Sequence, residues 1–286
     1  MTTPDGVEIA VHDLGGTGPE IVLAHATGFH SMVFAPLARE LEARFHCFGL
    51  DLRGHGRSGV RKDLDFHWDG FATDVLAVVE ALGLVRPFGI GHSCGGAALL
   101  LAEERSPGTF AGLYCFEPVV LPLDEPPGPE RENPMAAAAR QRRETFSSRA
   151  EAYANYRSKA PLSSLSPDAL AAYVELGFED QPDGAVRLSC RREHEALVYE
   201  QSATHHAYRD LGRVACPVTL AAGGRTDTLG EEALSLLEAR LEVARVEVLA
   251  GLGHFGPLER PDLVAASVAG AFAFSSENAR LPTSAS

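Results

Sequence analysis

Phe88-Gly89-Ile90-Gly91-His92-Ser93-Cys94-Gly95-Gly96 runs directly into Ala97-Ala98-Leu99-Leu100-Leu101-Ala102. An apolar run closes on Gly91, a serine follows two residues later, and an alanine- and leucine-rich helical pattern opens behind two glycines. The stretch reads as a strand, a tight turn and a helix. Gly91 and Gly95 bracket Ser93 as G-x-S-x-G, in which small residues let strand and helix pack so closely that a serine is held up on a strained turn. In a chain with 28 glycines the pentapeptide alone is a weak signal. Its setting between a strand and a helix is what gives it weight.

Working outward, Ile21-Val22-Leu23-Ala24 is a continuous apolar run of the kind buried on both faces of a parallel sheet, and it ends in His25-Ala26-Thr27-Gly28. Residues 31–43 are helical in pattern. Phe45 to Leu50 is a further strand, ending in Asp51-Leu52-Arg53-Gly54-His55-Gly56-Arg57-Ser58, and Trp68 to Leu82 is helical. Val7 to His12 alternates like an edge hairpin or half of one, before the turn-rich Gly15 to Pro19. After the central turn, Gly112 to Phe116 is a strand, followed by Glu117 and Pro118. From about Leu121 to Arg209 the strand–helix alternation lapses into a proline-rich stretch (122–134) and several helical segments. It resumes with Val218 to Gly223, a helix from Glu231, a strand at 246–249 and a last helix from Pro261 to about Phe274. The expectation is an α/β fold: a mostly parallel sheet of about eight strands with helices on both faces and a helical cap inserted after the sixth strand. Residues 1–120 and 210–275 would form the core, 121–209 the cap and 276–286 a disordered tail.

Composition narrows the partners. The chain has 286 residues, 45% of them hydrophobic, with 25 Lys and Arg against 39 Asp and Glu, a formal charge of −14. Nucleic acid and acidic membrane surfaces would be repelled on average, so a small, neutral substrate is expected; it is taken to be largely apolar. The five cysteines at 47, 94, 115, 190 and 216 form an odd set without C-x-x-C spacing and read as reduced core residues, which points to the cytoplasm. No basic segment followed by an apolar one opens the chain, and nowhere do eighteen apolar residues run together, so no export signal or membrane span is expected. The oligomeric state is not legible.

Five motifs in register, His25-Ala26-Thr27-Gly28, Asp51 to Ser58, Gly91 to Gly96, Gly224-Arg225-Thr226-Asp227 and Gly253-His254-Phe255, resemble those of the α/β-hydrolase superfamily over most of the chain outside 121–209. Alanine at 26 replaces the glycine usual after that histidine, and cysteine at 94 replaces a frequent methionine; backbone matters more than side chain at both. The resemblance implies a serine hydrolase with Ser93 as nucleophile, His254 as base and the chain order Ser, acid, His. For the acid it favours Asp227, after the strand at 218–223. Glu117, at the end of the strand after the central helix, is the rival, since some relatives place their acid there. The oxyanion hole would be the backbone N–H groups of Thr27 and Cys94. No cofactor or metal is implied.

The other histidines read as structural. His92 points away from the site in such folds, His25 and His55 brace loops, and His205-His206 lacks a third ligand at metal-binding spacing. Cys94 as a thiol nucleophile is disfavoured by its position under the turn. Arg140, Arg142, Arg143 and Arg149 could grip an anionic substrate group, although such a run is more often a solvated helix face. Phe146, Tyr153, Tyr156, Leu162 and Phe178 are candidate pocket residues. The expected activity is cleavage of a carboxylic ester, thioester or lactone through an acyl-enzyme on Ser93. The same fold leaves open a C–C bond hydrolase, a cofactor-free oxygenase or haloperoxidase, or a non-catalytic small-ligand binding protein.

Overall fold

The computed structural model describes residues 1–126 and 133–278. Part of the proline-rich stretch and most of the expected disordered tail therefore lie outside the described residues. Seven strands form the main sheet: β1 (Val11–Gly16), β2 (Glu20–Ala24), β3 (His46–Leu50), β4 (Phe88–His92), β5 (Gly112–Phe116), β9 (Val218–Gly223) and β10 (Ala244–Leu249), in the spatial order β1-β3-β2-β4-β5-β9-β10. Only β1 is antiparallel to its neighbour. The first strand sits later than its alternation suggests. Val7 and Ile9 are buried beside an isolated bridge between Thr2 and Glu8, and β1 pairs with β3 through a bulge at Asp13/Gly15.

Period-two alternation sorts the strand residues onto two cores. Val22, Ala24, Leu113, Cys115, Leu220 and Ala222 face one side, packed under α2 (Trp68–Ala81) and α3 (Cys94–Arg105). Ile21, Leu23, Ile90, Tyr114, Phe116 and Ala221 face the other, against α1 (Ala35–Leu41) and α11 (Pro261–Asn278). With both faces covered, these strands must be apolar throughout, which is why they read as unbroken runs. The remaining core helices are α8 (Ala207–Asp210), α9 (Glu231–Glu238) and the short α10 (Gly256–Glu259).

The segment between β5 and β9, called the cap below, follows the fifth strand rather than the sixth and is not purely helical. Helices α4 (Pro134–Arg140), α5 (Arg149–Arg157), α6 (Pro167–Leu176) and α7 (Arg192–Glu200) accompany β6 (Thr145–Phe146), β7 (Phe178–Asp180) and β8 (Val186–Leu188), which form a small antiparallel sheet in the order β6-β8-β7. Two- and three-residue strands carry too little periodicity to stand out from loops in a sequence. Ser148 and Ser166 start α5 and α6 as side-chain caps, accepting from the N–H of Glu151 and Ala169. No helix among the described residues is long and apolar enough to cross a membrane.

Chain order reverses direction between β2 and β4, the crevice where open α/β sheets bind ligands at their carboxyl ends. Helix α3 enters this crevice so tightly that a Cβ at Gly95 would lie 2.1 Å from the Ala24 carbonyl oxygen. Replacing Gly95 by alanine should cost more than about 3 kcal/mol, the upper end of overpacking, and lower Tm by roughly 6–12 °C or abolish soluble expression. Gly212→Ala, where the added methyl meets only the Arg240 carbonyl at 3.8 Å, should stay within about 2 °C of the parent in the same thermal melt.

Candidate active site

Ser93 stands between β4 and α3 at φ 55° and ψ −116°, a conformation that an L-residue adopts only under constraint. The constraint is visible: its N–H donates to the Phe116 carbonyl at 2.9 Å, and its own carbonyl accepts from Ala97 and Val119, each at 3.2 Å. Gly91 makes the turn possible, since a Cβ there would meet the Gly96 backbone at 2.5 Å. The serine is 8% exposed, and its exposed part lines a cavity of about 490 Å³ between the strand ends and the cap.

His254 lines the same cavity from the loop after β10. That loop is held on both sides of the imidazole: the Gly253 N–H donates to Glu259 Oε2 at 3.1 Å, and the His254 carbonyl accepts from His92 Nε2 at 2.8 Å. Burial pushes His92 well below the usual histidine range, so it is neutral and its one ring proton is committed to that carbonyl. No hydrogen bond joins Ser93 Oγ to the His254 ring among the described residues, an arrangement common in such sites before substrate arrives.

The carboxylate beside His254 is Glu117, not the expected Asp227. Glu117 Oε2 accepts from His254 Nδ1 at 2.6 Å and from the Thr226 hydroxyl at 2.6 Å, and Oε1 accepts from the Gly223 N–H at 3.0 Å. It is fully buried at the end of β5, with φ 44°, a second constrained residue at this site. Asp227 is exposed. The reason lies in the loop after β9: the Arg225 N–H donates to the Leu252 carbonyl and the Thr226 N–H to the Gly223 carbonyl, which turns Thr226 inward and Asp227 toward solvent. A Cβ at Gly223 would already lie 2.4 Å from the Leu252 carbonyl, so the β10 loop sits hard against the end of β9 and the carboxylate reaches the histidine from β5 instead.

Thr27 lines the cavity, and Cys94 is buried at the first turn of α3. Neither N–H has an acceptor among the described residues, which leaves both donors uncommitted. The loop carrying Thr27 is braced by His25, which donates from Nδ1 to the Ala26 carbonyl at 2.8 Å and accepts the Leu52 N–H on Nε2 at 3.0 Å. Burial lowers the pKa of His25, in keeping with that neutral tautomer. Burial also pushes the Cys94 thiol up to about 12, which keeps it protonated and a poor nucleophile. His55 is buried near His25 with Nδ1 on the Arg53 carbonyl, and His205 stacks on Trp68 and bonds the Val119 carbonyl; both are structural.

Of the candidate pocket residues, Tyr156 and Leu162 line the cavity. Phe146 and Phe178 pack on each other inside the cap, and Tyr153 packs against the same cluster. The four cap arginines divide. Arg140 pairs with Glu193 and Glu200, Arg143 with Glu151, and Arg149 with Asp180, all toward solvent. Arg142 turns inward, pairing with Glu195 and donating to the Tyr173 hydroxyl at 2.7 Å. Sequence reasoning missed Thr226, the role of His92 and this inward pair. The signals were the place of Thr226 within the motif Gly224-Arg225-Thr226-Asp227 and that of Arg142 within the cap arginines.

Comparison with known proteins bears on the fold and the family. Segments of the chain resemble protein phosphatase methylesterase 1 of Bos taurus (36% identical over 115 residues, 38% of this chain and 30% of that protein) and monoglyceride lipase of Homo sapiens (39% over 114 residues, 35% of each). The matches span about a third of those relatives' length. The crystal structure of E-2-(acetamidomethylene)succinate hydrolase superposes with a TM-score of 0.78 at 20% identity, covering 93% of this chain and 95% of that one. Residues 21–267 match the alpha/beta hydrolase family as a whole, and the chain belongs to that family.

Proposed function

We propose that the protein is a serine hydrolase that cleaves a carboxylic ester, thioester or lactone through an acyl-enzyme on Ser93. The observation that carries the reading is the His254 Nδ1 to Glu117 Oε2 contact of 2.6 Å beside a serine held at φ 55°. Resemblance to proteins named as a methylesterase and a lipase supports the same bond class.

In this mechanism Glu117 holds Nδ1–H of His254, leaving Nε2 as the basic nitrogen facing the cavity. Ser93 Oγ bonds to the acyl carbon as its proton passes to Nε2, and the carbonyl oxygen becomes an oxyanion between the Thr27 and Cys94 N–H groups. Each donor of this type contributes about 3 kcal/mol to the transition state. Collapse breaks the bond to the leaving alkoxide or thiolate, which takes the proton from His254. Water then repeats the cycle, releasing the carboxylic acid and restoring Ser93. Atoms and protons balance with water as the only co-reactant. The 121–209 segment acts as a cap that selects the substrate, and the acid is Glu117.

Three measurements test this. A fluorophosphonate should label Ser93, read by peptide mass spectrometry; Ser93→Ala should abolish labelling, and Cys94→Ser should keep it. Label that survives in Ser93→Ala refutes the nucleophile. In an ester-hydrolysis assay Glu117→Gln should lower kcat by about ten-thousandfold, because the amide favours the wrong tautomer, whereas exposed Asp227→Asn should stay within about threefold of the parent. Reversal of that order would return the acid to Asp227. Thr226→Val removes one hydrogen bond to a charged group and should reduce kcat roughly tenfold with KM unchanged, a loss that a purely structural threonine would not confine to kcat.

A further inference from the structure

The cavity above Ser93 is lined largely by apolar side chains such as Ala26, Phe29, Leu162 and Phe255, yet it contains an ion pair. Arg142 and Glu195 face each other there, and the Glu195 side chain is only 6% exposed. A buried ion pair adds little stability compared with apolar residues of the same volume, so bracing the cap does not by itself account for one inside a substrate cavity. Its hydrogen-bonding capacity is also not used up. Arg142 donates through Nη1 to Glu195 and through Nη2 to the hydroxyls of Tyr173 (2.7 Å) and Tyr156 (3.4 Å). Neither Arg142 Nε nor Glu195 Oε1 has a hydrogen-bond partner among the described residues, and both residues line the cavity. One donor and one acceptor of the pair are therefore uncommitted.

Their position ties them to the reacting centre. A Cβ at Gly28 would lie 2.8 Å from Glu195 Oε1 and 3.2 Å from Arg142 Nη1, so the pair rests on the residue after Thr27. A substrate whose carbonyl oxygen meets the Thr27 N–H has its neighbouring chain within reach of the pair. The charge of Arg142 is already balanced by Glu195. A carboxylate entering here would set a second negative charge beside Glu195 in a cavity of low dielectric, where like charges repel strongly. An amide adds no charge, and its two faces match: N–H onto Glu195 Oε1, C=O onto the guanidinium. A purely apolar group would desolvate both open atoms and satisfy neither. Lys159, exposed at the rim and bonded to Asn155 Oδ1 at 2.7 Å, is the other cation of the lining.

Resting on the hydrolase reading above, we propose that the Arg142–Glu195 pair makes this site selective for substrates bearing an uncharged amide near the scissile carbonyl, over those bearing a carboxylate or a hydrocarbon there. The probes are methyl esters of acids ending in a carboxamide, a carboxylate or an isopropyl group, three nearly isosteric ends, each with two to four methylenes. Calorimetric binding to Ser93→Ala reads the pocket without turnover, and methanol release by the parent protein reads turnover. The carboxamide ester should bind at least tenfold more tightly than both others at one chain length. Glu195→Gln unbalances Arg142 and should improve the carboxylate relative to the carboxamide by at least tenfold, with circular dichroism and Tm confirming the fold. Tighter binding of the carboxylate to the protein with Glu195 intact, equal binding of all three, or a common factor for all three in Glu195→Gln would overturn the inference. The calorimetry decides it whether or not the esters are turned over; failure of methanol release with an intact Ser93 counts against the hydrolase reading alone.

Discussion

The close approach of α3 to the ends of β2 and β4 is the constraint on which the rest of the molecule depends. Backbone from the helix start occupies the space that a side chain at Gly91 would need, and backbone at the end of β2 occupies that of Gly95, whose Cβ would lie 2.1 Å from the Ala24 carbonyl oxygen. That contact brings Ser93 to the crevice where chain order reverses, with Thr27 on one side and the end of β5 on the other. It also brings the first N–H groups of α3, which have no intrahelical acceptor, beside Ser93. The strained φ of the serine follows from the packing, as its backbone hydrogen bonds to Phe116, Ala97 and Val119 indicate.

Around that point the site is assembled from strand ends that lie far apart in sequence. The Glu117 carboxylate gathers three donors, one each from the end of β9, the loop after β9 and the loop after β10. A fully buried carboxylate is costly to desolvate unless its lone pairs are met, and here each oxygen accepts a hydrogen bond. The bond from His254 Nδ1 holds the imidazole against Glu117, while those from Gly223 and Thr226 hold the carboxylate itself in place. His92 completes the arrangement from below by holding the His254 carbonyl.

The cap meets the core through apolar packing and through hydrogen bonds such as His30 Nε2 to the Tyr173 carbonyl, Trp68 Nε1 to the Val198 carbonyl and His205 Nε2 to the Val119 carbonyl, and the Arg142–Glu195 pair rests on Gly28. Three of the cap arginines spend their charge in exposed pairs, which are screened and contribute little to stability. The one that turns inward differs because Tyr156, Tyr173 and Glu195 surround it with acceptors.

Apolar runs and glycine placement were enough to read the alternating sheet and the strand–turn–helix at Ser93, because each rests on local geometry: a strand buried on both faces must be apolar, and glycines must flank a turn this tight. The candidacy of His254, Thr27 and Cys94 came from the resemblance of the motifs to a known family. The small cap sheet was illegible because two- and three-residue strands have no measurable period. The partner of His254 was illegible for a different reason. Glu117 and Asp227 both follow buried strands, and no local feature separates them; what separates them is the way the Leu252 carbonyl crowds Gly223 and the loop after β9 turns Thr226 inward, a contact between residues on different strands. The direction of each cap arginine was decided in the same way, by which acceptors the folded chain brought within reach of its guanidinium.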